Sequence, residues 1–313
     1  MSLTHAPRIA ILIPCHNEAT TIAAVVQDFR RALPGAAVYV FDNRSTDDTA
    51  AAARAAGAQV HPVTQLGKGH VVRRMFADVE ADIYVMADGD GTYEAAAAPR
   101  LVEKLQAEGL DMVVGSRESE EAGAYRSGHR MGNALLSRAV GLLFGDSFTD
   151  TLSGYRVLSR RYVKSFPANA SGFETETELT VHALQLRMPV AEVPTHYRAR
   201  PDGSASKLNT WSDGWRVLLT IVGLYKSERP LAFYSLGFVL CAVLSLVLAV
   251  PVFAVYFRTG LVPRIPTAML CTGLVLLGVI LLGCGLVLDT VTRGRREAKR
   301  LAYLAIPGPA RRE

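Results

Sequence analysis

Two aspartates one residue apart, Asp88 and Asp90 in DGDGTY (88–93), close the apolar run DIYVMAD (82–88). With only glycine between them, they suit a hard cation, Mg²⁺ or Mn²⁺, which uses one or two carboxylates and completes its shell with substrate phosphates. A Gly/Asp turn is the plain alternative, but the position at the end of a buried strand favours the metal. Asp42, in VFDNRSTDDT (40–49), can accept hydrogen bonds from a base or ribose, while Asp47 and Asp48 suit the first turn of a helix. Lys68 stands between Gly67 and Gly69 before a helical stretch. It lacks the full phosphate-loop frame, yet a lysine there can meet a phosphate or a base edge. The seven histidines form no i,i+4 pair, so most are expected to be structural.

Those side chains need a scaffold, and the hydrophobic pattern supplies one. Short β-branched runs at 8–14, 37–43, 59–63, 82–88 and 111–117 alternate with helical stretches. Asn17 is expected to cap a helix reaching Leu33, and Ser45 or Thr46 to open an alanine-rich helix that Gly57 ends. Further helices are predicted over 70–81 and 94–108. Strands separated by such helices pair in parallel, with helices on both faces. Ligands in these sheets bind beyond the carboxyl ends of the strands. Residues 15–18, 42–43, 88–90 and 116–117 all fall there.

The chain has 313 residues, half of them hydrophobic, with 34 basic and 29 acidic side chains. Disorder and fibrous structure are excluded. Residues 293–313 hold seven Arg or Lys against Glu297 and Glu313, and the other residues balance at 27 of each sign. The basic character is a short tail, so nucleic acid is not expected as a partner. Cys15, Cys241, Cys271 and Cys284 form no metal or disulfide framework. The start shows no secretory signal, which places the bulk of the protein in a reducing cytoplasm.

Residues 231–257 and 265–288 contain no charged side chain. A helix of about 20 apolar residues crosses a hydrocarbon core of about 30 Å, so both runs read as transmembrane spans. Lys226 and Arg229 before the first and the basic tail after the second put the N-terminal region and the tail together on the cytoplasmic side. Between them, LNTWSDGWRVLLTIVGLYK (208–226), with Trp211 and Trp215, reads as a helix lying on the membrane surface or as an amphipathic helix packed on the globular domain. Gly273, Gly278, Gly283 and Gly285 allow close helix contact and self-association into a homo-oligomer.

Eight segments occur in order over residues 8–230: IPCHNEATTI, VFDNRSTDDTA, LGKGHVVRRM, DGDGTYE, MVVGSR, RMGNALLSRAVGLLFG, DTLSGYRVLSRRYV and ETELTVHALQL. Together they resemble the family 2 glycosyltransferases of the GT-A fold. With the C-terminal pair of spans, the chain is similar to the polyprenyl-phosphate (dolichyl-phosphate) sugar synthases. His16 stands where tyrosine is usual, Asn43 where many members carry a second acid, and DGDGTY where a DAD-type sequence is more frequent.

The resemblance implies an α/β GT-A fold, Rossmann-like, with a mostly parallel sheet and flanking helices, plus two C-terminal transmembrane α-helices. The expected divisions are a cytoplasmic catalytic domain over 1–207 and a juxtamembrane helix over 208–230. Spans at about 231–257 and 265–289 follow within 231–291, then a basic tail over 292–313. It implies that Pro14, Glu18, Asp42, Lys68 and Asp88 hold the nucleotide, with Arg200 closing on the diphosphate. Asp90, Asp88 and Thr92 would hold the metal, Mg²⁺ or Mn²⁺. Arg117 and Arg130, assisted by Ser206 and Lys207, would hold the acceptor phosphate. Asp88, Asp90, Arg117 and Arg130 are thereby the expected catalytic set.

The chemistry is consistent with that set. A phosphate monoester has a second pKa of about 6, so a lipid phosphate acceptor needs aiming rather than deprotonation, and arginine forks are suited to it. The expected reaction is inverting transfer of a hexose from a nucleotide sugar, UDP-hexose in preference to GDP-mannose, to polyprenyl phosphate at the inner membrane. The alternatives are transfer to a glycolipid or polysaccharide hydroxyl, and a non-catalytic scaffold binding nucleotide sugar or lipid phosphate. Hydroxyl transfer needs a base, for which Glu176 or Glu178 is the candidate. Glu174, Glu176 and Glu178 otherwise read as acids near a helix N-terminus.

Overall fold

A computed structural model describes residues 6–118, 127–144, 148–168, 175–198 and 210–309, with side chains omitted over 127–134 and 210–217. It divides into two compact units, residues 1–217 with 298–313, and residues 218–297.

The first unit is built on a seven-stranded sheet. Its strands are β1 (Ile9–Cys15), β2 (Ala37–Asp42), β3 (Gln59–Pro62), β4 (Ile83–Met86), β5 (Met112–Glu118), β6 (Arg156–Ser159) and β7 (Val190–His196), in the spatial order β3-β2-β1-β4-β6-β5-β7. β1 pairs in parallel with β2 and β4, β2 with β3, and β5 with β7. β6 alone runs against the rest, antiparallel to both β4 and β5. The sheet is therefore mixed, with a parallel majority. Because β6 is reversed, the segment leading into it, rather than the one leaving it, lies at the edge where the other strands end.

Alternation along the strands builds a core on each face. Ile11, Ile13, Val38, Val40, Val85, Val113 and Val157 are buried with Ile22, Val26 and Phe29 of α1 (Ile22–Ala32) and Leu101 and Leu105 of α4 (Ala98–Glu108). α2 (Thr49–Ala55) adds Ala53 to that layer. The opposite face buries Leu12, Phe41, Tyr84 and Met86, with Val72 and Met75 of α3 (Lys68–Asp78) and Tyr162 of α6 (Arg160–Ser165) among the other buried side chains of the unit. α5 (Ser127–Phe144) lies between β5 and β6 in sequence, and α7 (Thr175–Leu186) between α6 and β7.

α7 is buried along almost all of its length, including its polar residues. His182 is packed among Tyr162 and Phe166 at ring-centroid distances of 5.3 and 5.4 Å. Ser165 Oγ donates to Tyr162 O (3.1 Å), so His182 Nε2, 3.1 Å from the same oxygen, is the donor to it. His182 Nδ1 then has no partner among the described residues. Burial, with a smaller contribution from Lys299, pushes this imidazole down to about 3. It is a neutral core histidine.

Two helix starts differ from the sequence expectation, for a common reason. α1 begins at Ile22 rather than beside Asn17, which takes the left-handed conformation (φ 56°). Asn17 Oδ1 accepts from Thr46 N (2.8 Å), and Asn17 N donates to Ser45 Oγ (2.9 Å). Asn17 and Ser45 therefore tie the β1 and β2 exit loops together instead of capping helices. α2 starts at Thr49, whose N–H is held by Asp47 Oδ1 (3.1 Å).

The chain's C-terminal end belongs to the first unit. Tyr303 Oη donates to Asp111 Oδ2 (2.8 Å), and the Arg161 guanidinium lies over the Tyr303 ring at 4.7 Å. Asp111 is 0% exposed, yet it also accepts from Ser159 Oγ (2.6 Å) and from Arg161 Nε and Nη2 (2.5 and 2.7 Å). Lys299 Nζ donates to Gln185 Oε1 at 2.8 Å. The basic tail expected at 292–313 is thus, over 299–303, hydrogen-bonded to Asp111 just before β5 and to Gln185 of α7, with Arg161 of α6 stacked on Tyr303.

The second unit contains the end of α8 (Thr210–Glu228), α9 (Pro230–Thr259) and most of α10 (Ile265–Leu304). Among the described residues α9 and α10 are the two helices long and apolar enough to cross a membrane. Only 6% and 11% of their apolar windows are buried, unlike the core helices of a soluble domain. Two of the four noted glycines serve contact within this pair. A Cβ on Gly278 would lie 3.1 Å from Phe238, and one on Gly285 3.0 Å from Tyr234, whereas Gly273 and Gly283 face open space. Arg296 Nη2 donates to Glu228 Oε2 (2.8 Å), joining α10 to the end of α8.

Candidate active site

The carboxyl ends of β1, β2 and β4 and the segment before β6 converge on Asp88 and Asp90. Asp90 is buried, and its Oδ1 accepts from Thr92 N (3.2 Å) and Thr92 Oγ1 (2.7 Å), a turn that Gly91 permits at φ 75°. Thr21 Oγ1 donates to Gly89 O (2.7 Å), fixing this turn to the start of α1. Gly89 has no room for a side chain, since a Cβ there would come within 2.5 Å of Cys15 Sγ. The Cys15 thiol is itself pushed up by burial and then by the neighbouring carboxylates Glu18, Asp88, Asp42 and Asp90. It stays protonated, and it fills space.

Lys68 is the first residue of α3, after Gly67 at φ 130°. Asn43, at the end of β2, sets its approach: Asn43 Oδ1 accepts from Gly67 N (2.8 Å) and Asn43 Nδ2 donates to Gln65 O (2.7 Å). The Asn43 amide is thus a two-way backbone anchor. From there Lys68 Nζ reaches Asp88 Oδ1 (2.6 Å) and Glu176 Oε1 (2.5 Å). Burial alone would push the Lys68 ammonium to lose its proton, but the Asp88 and Glu176 carboxylates outweigh that and hold it above the usual lysine range. Glu176 Oε2 is buried with no hydrogen-bond partner among the described residues.

The reversed strand β6 brings in side chains that the pattern of strand ends did not single out. A Cβ on Gly154 would sit 2.7 Å from Asp88 Oδ2, so only glycine lets this carboxylate lie where it does. Gly154 N donates to Tyr93 Oη (2.8 Å), and burial drives the Tyr93 phenol up, keeping its proton. Asp150 grips Arg117 through Nε–Oδ2 and Nη2–Oδ1, both 2.7 Å, and Arg117 lies 5.5 Å over the Tyr197 ring. Arg156, fully buried, donates to Ser153 O (3.0 Å), Thr151 O (2.9 Å) and Glu176 O (3.1 Å), bracing the 151–153 loop against α7. These partners come from DTLSGYR, a segment noted in the sequence as a whole but not residue by residue.

Of the expected site residues, Pro14 is the penultimate residue of β1, in register with Phe41, and Glu18 N donates to Thr49 Oγ1 (2.8 Å) at the same edge. Asp42 ends β2, and its Oδ1 accepts from Ser45 N (3.3 Å). Lys68, Asp88, Asp90 and Thr92 are drawn together as described. Arg130 lies on α5, its side chain outside the described residues. Arg200, Ser206, Lys207 and Glu174 also lie outside them. The chain entering the 199–209 segment is tied to the site, for Arg198 N donates to Thr92 O (3.0 Å) and Tyr197 bridges Tyr93.

The donor set fits a divalent cation bound with phosphate. Asp88 and Asp90 offer hard oxygens at the sheet edge, and no group of three or more His, Cys, Asp or Glu among the described residues forms an all-protein cage. A two-carboxylate site leaves the remaining positions to substrate oxygens.

A mixed sheet with paired aspartates beyond its parallel strands is the arrangement of the GT-A fold. The chain belongs to glycosyl transferase family 2, which it matches over residues 10–166. It is 36% identical over 300 residues to glycosyltransferase AglJ of Haloferax volcanii, covering 95% of this chain and 98% of that one. A dolichyl-phosphate hexose transferase of the same organism is 28% identical over 222 residues, 71% of this chain and 95% of its own. Among solved structures, glucosyl-3-phosphoglycerate synthase from Mycobacterium tuberculosis in complex with Mn²⁺ and UDP-glucose aligns with a TM-score of 0.56 and 26% identity, over 70% of this chain and 79% of that one. The chain is a glycosyltransferase.

Proposed function

We propose that this enzyme transfers a hexose from a nucleotide sugar, a UDP-hexose in preference to GDP-mannose, to a polyprenyl phosphate, with inversion at the anomeric carbon. The observation that carries the reading is the presence in one chain of an Asp88/Asp90 carboxylate pair and two helices fit to cross a bilayer. Asp90 and Asp88 would hold Mg²⁺ or Mn²⁺, with Thr92 beside them, and the ion when bound supplies charge to a departing nucleoside diphosphate. Pro14, Glu18, Asp42 and Lys68 would receive the nucleoside and diphosphate, and Arg200 would close over it. Arg117, held in plane by Asp150, would aim the acceptor phosphate together with Arg130, Ser206 and Lys207.

A polyprenyl chain leaves the bilayer at a cost of about 0.8 kcal/mol per CH₂, so its phosphate must be met at the headgroup surface. The apolar helix pair supports anchoring there. Lys226 and Arg229 before the first span and the basic residues after the second support a hairpin with both ends on the cytoplasmic face of the inner membrane. The dolichyl-phosphate hexose transferase relative supports the acceptor class, and the Mn²⁺ and UDP-glucose bound by glucosyl-3-phosphoglycerate synthase support the donor and ion. The test is incubation of the purified chain with labelled nucleotide sugars and undecaprenyl phosphate. Chloroform-extractable, acid-labile label identifies the sugar, and none from any donor rejects the reading.

A second reading, transfer to a hydroxyl, draws on one observation. Glu176 Oε2 is a buried carboxylate oxygen without a partner among the described residues, as a general base would offer. Glu176→Gln separates the two, with a small effect on phosphate acceptors and a severe one on hydroxyl acceptors.

A further inference from the structure

Lys68 occupies the space between Asp88 and Glu176, closer to each carboxylate than a water-separated pair would be, at 2.6 and 2.5 Å. Its side chain is 16% exposed and that of Glu176 7%. It is not there by the accident of a long surface side chain. Gly67 at φ 130° and the Asn43 anchor fix its backbone, and Gly154 packs against the other Asp88 oxygen. An ammonium at hydrogen-bond distance from Asp88 Oδ1 takes a lone pair that a cation would need. A like-charged pair in one small volume is disfavoured, by an amount that rises as water is excluded.

We propose that Lys68 is an internal counter-ion that holds Asp88 against a free divalent cation, so that the ion is taken up with a nucleoside diphosphate rather than alone. This rests on the reading of Asp88 and Asp90 as the cation site. Two carboxylates, Asp88 and Glu176, would otherwise meet with no cation between them, a costly arrangement in a buried site. Lys68 offsets part of that charge. The diphosphate changes the balance in two ways. It brings oxygens that complete the cation's shell, and it offers the ammonium on its flexible four-carbon stem a new anionic partner. Lys68 then turns from Asp88 to the diphosphate, and the ion takes its place. Uptake of ion and nucleotide becomes mutually dependent without any movement of the backbone.

The test is Mn²⁺ binding to the full-length chain in detergent, followed by the electron paramagnetic resonance of the free ion, with and without UDP. For the native protein, UDP should tighten Mn²⁺ binding by about tenfold or more. Lys68→Met should tighten binding of Mn²⁺ alone by about tenfold and shrink the effect of UDP. Glu176→Gln, which leaves the Lys68–Asp88 contact in place, should bind Mn²⁺ alone as weakly as the native chain. If Lys68→Met does not fold, the double variant Lys68→Met/Glu176→Gln removes both members of the buried pair and carries the same expectation. Lys68→Met binding Mn²⁺ alone no more tightly than the native chain overturns the counter-ion role while leaving the cation site standing. Native protein that binds Mn²⁺ equally with and without UDP overturns it too. Failure to bind Mn²⁺ under either condition removes the cation site itself, and the inference with it.

Discussion

Arg117 and Asp150 form a two-point pair, Nε to Oδ2 and Nη2 to Oδ1, both at 2.7 Å, with the Arg117 backbone N–H also donating to Asp150 at 3.2 Å. The pair joins the end of β5 to the segment before β6 and leaves the guanidinium plane no freedom to rotate. Asp150→Ala removes one partner of a mostly buried pair, which costs about 3 kcal/mol. A lowered melting temperature should accompany a raised KM for lipid phosphate, with the KM for sugar nucleotide little changed. Equal loss of both affinities would mean that Arg117 serves the donor.

Asp90→Asn tests the carboxylate charge with little disturbance of the turn. The Asn oxygen can still accept from Thr92 N and Oγ1, which now hold Asp90 Oδ1 at 3.2 and 2.7 Å. The fold should persist by circular dichroism, while turnover with saturating Mn²⁺ falls by about 10²-fold or more. Unchanged turnover removes the ion from Asp90.

Gly154→Ala is a steric probe of Asp88. The added methyl would meet Oδ2 at 2.7 Å, and either the carboxylate or the loop must move. Overpacking of this kind costs about 1–3 kcal/mol. The expected result is a stable protein with lower kcat and a weaker Lys68–Asp88 contact. Native kinetics would show that Asp88 tolerates displacement.

How much of this arrangement is legible in the sequence depends on whether each contact follows the chain's periodicity. The first five strands are legible because buried β-branched runs alternate with helices, and the paired aspartates because they end such a run; β6 and β7 are not among the runs read from the sequence. Nor is the reversal of β6 legible: RVLS (156–159) reads the same in either direction, so the placement of Asp150 and Gly154 beside Arg117 and Asp88 could not be assigned. Asn17 and Ser45 carry helix-capping chemistry, but each finds its partner on a neighbouring loop. Lys68 and Glu176 meet across more than a hundred residues, and nothing local marks Glu176 as more than an acid in a first helical turn. The Tyr303–Asp111 bond is hidden for the same reason, in a stretch that reads as a solvated basic tail.

Tyr303→Phe tests that bond. A hydrogen bond to a charged group contributes about 1.5–3 kcal/mol, the upper end applying where the acceptor is as buried as Asp111. The variant should melt at lower temperature and show faster proteolysis near its C-terminus. Arg161→Lys, which keeps the charge but loses the fork on Asp111 and the stacking on Tyr303, should act in the same direction. An unchanged melt in both would deny the contact any energetic weight.

His182 predicts a pH dependence of stability. Its folded pKa is depressed to about 3 by burial, against about 6.5 in an unfolded chain. Between those values the unfolded state binds the additional proton, so stability is full above about pH 6.5 and is lost as pH falls toward 3. As pH falls from 6.5 to 5, above most carboxylate titrations, the excess proton uptake on unfolding the native chain relative to His182→Phe should rise from about half a proton to about one. Parallel stability curves for the two proteins would show that His182 is charged in the fold.

If a lipid phosphate receives the sugar, the chain must distinguish two acceptors with identical tails. The purified chain is given one labelled nucleotide sugar, Mn²⁺, and either undecaprenyl phosphate or undecaprenol in the same vesicles. Label is expected to move only to undecaprenyl phosphate, and to stop moving when the ion is chelated. Transfer to undecaprenol at a comparable rate, or transfer that persists with chelator, would contradict that expectation.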